Sequence, residues 1–197
     1  MQKTILSIVF FLAASSTFAQ FNQGRILTGG SVGFSTDTNK SKANSTTTTN
    51  GRSTSFTLSP NAGYFVIDNL AVGAALEIFA NSYKPDGNGS KSNQSSLSIA
   101  PFVRYYLSPG IFFQGQYAVG AGKNKYSVGN TNVEEKYGIS AVSLGAGYAH
   151  FLNDHVAIEP FIGYRSSSLK DKDDDSKNID SGLFLNVGLQ VYLGNRN

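Results

Sequence analysis

The chain has 197 residues, 40% hydrophobic and 15% charged, with 21 glycines, no cysteine and no tryptophan. Sixteen Lys and Arg against 13 Asp and Glu give a formal net charge of +3, or +2 if Lys3 leaves with a leader. So balanced a chain carries no basic stripe for a nucleic acid, and without cysteine it has neither a disulfide framework nor a thiolate metal site.

The first residues place Lys3 before an apolar run from Ile5 to Ala14, then Ser15, Ser16, Thr17, Phe18 and Ala19. A positive start, a short apolar stretch and small residues three and one before the cut predict a signal peptide over 1–19, leaving 20–197 as one domain. About ten apolar residues are too few to span a bilayer. No long apolar helix follows, so any membrane role rests on strands.

Apolar and polar residues alternate in eight segments, near 25–35, 54–66, 70–81, 95–107, 111–121, 137–152, 156–167 and 182–193. The last is the clearest, with Leu183, Leu185, Val187, Leu189, Val191 and Leu193 on one face. Long polar connections at 36–52, 83–93, 123–136 and 169–180 alternate with the short turns Ile67-Asp68-Asn69, Ser108-Pro109-Gly110 and Asn153-Asp154-His155. An up-and-down meander of eight strands with long loops on one side and tight turns on the other predicts an all-β, eight-stranded antiparallel barrel.

Alternation fits a soluble barrel with an apolar lumen as well as a membrane barrel with a polar one. The charges choose between them. Of the 29 charged residues, only Glu77, Arg104, Glu159 and Arg165 lie well inside the strands, whereas a soluble barrel would carry Lys and Glu along its outer face. The second face, with Ser96, Ser98, Gln114, Gln116, Ser143, Asn186 and Gln190, suits a confined polar interior.

Several residues acquire roles in that frame. Tyr64, Tyr105, Tyr148 and Tyr164 share the lipid-facing parity and predict an aromatic girdle, three at the inner interface and one near the outer. Pro60, Pro101 and Pro160 lack the amide a ladder needs, so bulges are expected there. Inward parity brings Glu77, Arg104, Glu159 and Arg165 into one narrow lumen, where burial requires pairing; Arg104 is expected to pair with Glu159 or Glu77, plugging the barrel. A narrow polar path for small ions, gated by these pairs, is the alternative. Phe79, Phe102, Tyr106, Phe161 and Phe184 also face inward, to fill space opposite the glycines of the sixth strand.

The hairpin from Gly63 to Gly73, the related stretch from Gly147 to Ala157 and the final strand resemble the small outer-membrane β-barrel family that includes the OmpA transmembrane domain and OmpX-like, porin-family proteins of Gram-negative bacteria. The final strand matches the family's assembly signal, a polar residue then x-Gly-x-x-hydrophobic-x-hydrophobic, as Asn186, Gly188, Val191 and Leu193. The resemblance implies residence in the cell outer membrane as a monomer, among outer-membrane lipid and lipopolysaccharide. It also implies insertion by the barrel-assembly machinery and a structural or loop-display role, with small-solute transport as the alternative. Gly194-Asn195-Arg196-Asn197 follows Leu193, where family members often end on an aromatic.

No catalytic, cofactor-binding or metal site is predicted. A hydrolase or acyl-transferase of this membrane needs a base at the outer rim, and the two histidines, His150 and His155, flank a turn on the inner side. Gly120-Ala121-Gly122-Lys123 and Gly145-Ala146-Gly147 complete no phosphate-binding motif. Asp171, Asp173 and Asp175 have cation-loop spacing, but Ser176 replaces the turn glycine and Gly182 stands where the bidentate acid belongs. A solvated acidic loop is expected there, and a low-complexity, mobile loop over 42–51.

Overall fold

The computed structural model describes residues 21–43, 46–86, 90–107, 109–128, 131–171 and 176–194. The expected signal peptide, Asp173, Asp175 and residues 195–197 lie outside them. The chain forms β1 (Ile26–Ala43), β2 (Thr46–Ile67), β3 (Leu70–Pro85), β4 (Ser92–Tyr106), β5 (Ile111–Val128), β6 (Thr131–Tyr148), the two-residue β7 (His150–Phe151), β8 (Val156–Asp171) and β9 (Lys177–Leu193).

Every pairing is antiparallel, each long strand pairing with the next long one; β7 continues the β6 register against β8. Pairing of β1 with β9 closes a ring of eight strands. These pairings satisfy the backbone between neighbours, which a sheet surrounded by hydrocarbon must do, except along the outer part of the β1–β9 seam, where pairing ends at Gly30 and Leu189.

Outside the ring lie Leu97, Ile99, Val103, Phe113, Val142, Leu144, Ile162, Leu183 and Leu185, all exposed, while Phe65, Phe102, Phe112, Tyr106, Tyr192, Arg104 and Glu159 are buried inside. Such an outward apolar belt suits a lipid surround. Tight turns mark its inner edge, where Asn69 supplies the left-handed residue (φ 65°) of the β2–β3 hairpin.

The strands run further outward than the alternation predicts. β1 and β2 pair as far as Ala43 and Thr46, and β5 and β6 as far as Val128 and Thr131, through stretches expected to be loops. The Ser-, Thr- and Asn-rich β1–β2 stretch and the Lys- and Glu-rich β5–β6 stretch keep no continuous apolar face, yet Thr favours extended backbone in the first and Lys125 stands opposite Glu134 in the second, so the ladders continue. At the inner side the sixth strand ends at Tyr148 rather than 152, with Ala149 separating it from β7.

The bulges also fall elsewhere than expected. Register shifts occur at Asn39/Lys40 and Phe65/Ile67, not at the prolines. Pro60 pairs with Gly30, Pro101 with Ala74 and Pro160 with Val187, while pairing on the other side is interrupted without any change of register. A missing amide costs one ladder contact on one side; it does not require an extra residue.

Candidate functional site

The lumen divides into two halves. At the inner end, Phe21 enters the mouth just before β1 and stacks on Tyr106 with ring centroids 4.1 Å apart, beside Phe65, Phe151 and Tyr192. Its segment is tied down by backbone bonds: Asn69 N–H donates to Phe21 O (2.7 Å), and Gln23 N–H donates to Asp68 Oδ1 (2.8 Å). Leu27, Ala71, Phe102, Phe112, Ala149 and Ala157 complete this packed layer. Aromatic rings occupy the room that glycines leave: a Cβ on Gly147 would come 2.4 Å from Phe112, and one on Gly145 would come 2.6 Å from Phe161.

Above the layer sits a buried polar cluster. Arg104 Nη1 donates to Glu159 Oε2 (2.7 Å) and to the Tyr106 hydroxyl (3.0 Å), while its Nε donates to Gln114 Oε1 (2.7 Å). The Tyr192 hydroxyl donates to Glu159 and lies 2.9 Å from that of Tyr106. The guanidinium also stands 4.2 Å from the centre of the Phe112 ring, a cation–π distance. Both charges are thus paired and bonded on several sides, as burial requires.

From Gln114 the bonds continue outward through Gln116 (3.0 Å) to Glu77 (2.6 Å), whose carboxylate receives both terminal nitrogens of Arg165 at 2.9 and 2.8 Å. This second pair stands in a cavity of about 590 Å³ opening to the outer side. Ser96, Ser98, Gln94, Ser143, Asn186 and Gln190 line the walls, and Phe102, Phe112, Arg104 and Glu159 form the floor. The four charged residues picked from parity therefore sit as two pairs at different depths, linked by two glutamines.

Tyr64, Tyr105 and Tyr164 are exposed on the outer wall and Tyr148 is half-buried there against the His150 ring. Tyr64 pairs with Ile26, Tyr105 with Leu70 and Tyr148 with Ile111, all at the inner turns, while Tyr164 stands between Leu144 and Leu183. Asn186 and Gly188 border the cavity, and Val191 and Leu193 pair with Thr28 and Ile26 of β1. His155 lies at the inner mouth, with Nδ1 3.0 Å from Tyr192 O and 3.5 Å from Arg25 Nη2. No group of three or more His, Cys, Asp or Glu residues is placed to hold a metal among the described residues.

Sequence reasoning passed over two residues that the inner half depends on. Arg25 stands at a strand end yet is fully buried, donating from Nη2 to Tyr192 O (2.9 Å); sharing the inward parity of Leu27 was its only signal. Phe21 belongs to no alternating run and follows closely on the expected cleavage point, so nothing marked it.

Twin-faced strands, an apolar exterior and a polar, charge-paired interior together define an integral outer-membrane barrel. The family model described as "Outer membrane protein beta-barrel domain" matches residues 71–197, and the chain belongs to that family. Ail, the attachment invasion locus protein of Yersinia pestis, shares the fold with a TM-score of 0.53 at 13% identity, over 87% of this chain and 99% of that one. The translocator domain of the autotransporter NalP from Neisseria meningitidis gives 0.50 at 13% identity, over 96% and 67%. A comparison with curated proteins gave no match. Membership in the family sets the chain in the cell outer membrane, among its lipids.

Proposed function

We propose that this protein is a non-enzymatic, monomeric display barrel: a sealed membrane anchor that holds long polar hairpins above the cell surface. The observation that supports this is the inner layer of Phe21, Phe65, Tyr106, Phe112, Phe151 and Tyr192, packed ring against ring with the Arg104–Glu159 pair above it. An eight-stranded ring is only wide enough to be filled by side chains. The alternative of a narrow porin would need that layer to open.

The extended hairpins support display. From Phe34 and Phe56 the β1–β2 ladder continues outward to Ala43 and Thr46, roughly 30 Å of strand at the usual rise. Lipopolysaccharide would surround the outer belt, and the assembly machinery would read Asn186, Gly188, Val191 and Leu193 during insertion. Residues 1–19 would direct export.

Two measurements test the reading. In planar bilayers the protein should show no porin-sized conductance steps; regular steps would refute the seal. Shortening the β1–β2 and β5–β6 hairpins to the belt should leave the heat-modifiable folded band on gels unchanged and abolish adhesion of the cells to host-type surfaces. Adhesion unchanged by both deletions would remove the display role.

A further inference from the structure

Seven of the eight closures of this ring run nearly the length of their strands, but β1 and β9 pair only from Ile26–Leu193 to Gly30–Leu189. Five residue pairs along tilted strands reach roughly 13 Å into a layer about 25 Å tall. Beyond them, Ser31 onward pairs only with β2, and Lys177 to Gly188 only with β8. A Cβ built on Gly188 still meets Gly30 O at 3.3 Å, so the edges part only beyond that contact.

The divergence begins at a glycine pair. Gly30 has φ 149°, and a Cβ there would stand 2.4 Å from Ser59 O; one on Gly29 would stand 2.1 Å from Leu189 O. Side chains at these two positions would push β1 off both neighbours, so glycine is what holds β1 against β9 up to its last pair. The four most exposed large apolar side chains among the described residues flank the gap: Leu183 (80%), Phe34 (74%), Leu185 (73%) and Val32 (69%). Unpaired strand edges at membrane depth are tolerated where they border a water-filled cavity, and Gly30, Ser31, Asn186 and Gly188 on either side of this gap all line the outer cavity.

At the foot of the gap, Gly29 is paired on one side with Asn61 and on the other with Gln190. Both side chains line the cavity, and Asn61 Oδ1 and Gln190 Oε1 are buried acceptors without a donor; Gln190 is only 3% exposed. A buried acceptor left without a donor is costly, and so favours a ligand that brings one.

We infer that the gap between β1 and β9 is a lateral portal between the outer cavity and the outer leaflet, and that it holds a single-chain amphiphile with a hydrogen-bond-donating head. The head donates to Gln190 and Asn61 in the cavity. The tail leaves beyond Ser31 and Gly188 and lies along Val32, Phe34, Leu183 and Leu185. The sealed inner layer plays no part in this, so the portal stands or falls separately from the display role.

The absence of cysteine makes the portal directly testable in phosphatidylcholine vesicles. Thr28→Cys with Val191→Cys, a pair within the ladder, should oxidise to a disulfide, whereas Val32→Cys with Val187→Cys, in the same register beyond it, should not. Equal oxidation of both pairs means continuous pairing and overturns the portal. For the occupant, monolauroylglycerol titrated into protein in lipid nanodiscs should shift the Ser31 and Asn186 amides saturably, and methyl laurate, with a comparable tail and no donor, should bind at least about fivefold more weakly. Gln190→Leu, or Asn61→Leu if the first does not fold, should weaken monolauroylglycerol by a similar factor. Equal affinity of the two lipids, wild-type affinity in the folded variant, or saturation of the same amides by glycerol alone would overturn the assignment.

Discussion

The two halves of the lumen use the same residue types to different ends. In the inner half an Arg–Glu pair with side chains 6% and 3% exposed is enclosed by tyrosines and capped by Phe21; in the outer half another, 32% and 19% exposed, stands in an open cavity beside an unpaired seam. Enclosure decides what such a pair is worth. Where water is excluded, losing one partner strands a charge; where water reaches, it solvates what remains.

The sharpest way to break this contrast is Arg104→Leu. Glu159 then remains buried without its cation, and urea unfolding in lipid vesicles should show a loss of roughly 3–5 kcal/mol. Adding Glu159→Leu should restore much of it, because the cost lies in the stranded charge; no recovery would mean that the pair itself supplied the stability. Phe21→Ala removes the ring stacked on Tyr106 from the plug, and the same assay should register about 3 kcal/mol. A loss below about 1 kcal/mol would show that the N-terminal segment merely rests in the mouth.

Arg165→Ala probes the outer half. Its Glu77 partner keeps Gln116 and gains water, so a loss of about 1 kcal/mol or less is expected, and a loss matching that of Arg104→Leu would erase the distinction between the halves. The smallest effect belongs to the β5–β6 tip, where Lys125 Nζ stands 2.9 Å from Glu134 Oε2. Hydrogen bonding from Lys125 holds the Glu134 carboxyl below its ordinary range. The folded value being the lower one, this contribution is present at neutral pH and disappears as pH falls through it. Protection of the Lys125 and Glu134 amides, taken relative to the intrinsic exchange rate at each pH, should fall on acidification while that of β4 amides holds; a uniform fall would point to global loosening instead.

The sequence reveals most where physics repeats. Period two, the confinement of charges and three short turns specify ring, parity and strand number, because lipid on one side and a narrow lumen on the other constrain every second residue. They specify length poorly: the outer extensions of β1, β2, β5 and β6 have water on both faces, and Ser, Thr, Lys and Glu suit either. Parity brought Glu77, Arg104, Glu159 and Arg165 into one lumen but could not choose between Glu159 and Glu77 for Arg104, since depth depends on the stagger between strands distant in sequence. The seam was invisible for the same reason, as β1 and β9 read as complete strands and only their closure falls short.

The division of the lumen into a dry inner seal and a wet outer cup can be read out directly by thiol labelling from outside the cell. A membrane-impermeant maleimide should modify Gln116→Cys, on the cavity wall, at a rate near that of an exposed thiol, and leave Ala157→Cys, in the inner layer, unmodified over the same period. Comparable labelling at both positions would show an aqueous path through the barrel and contradict the account.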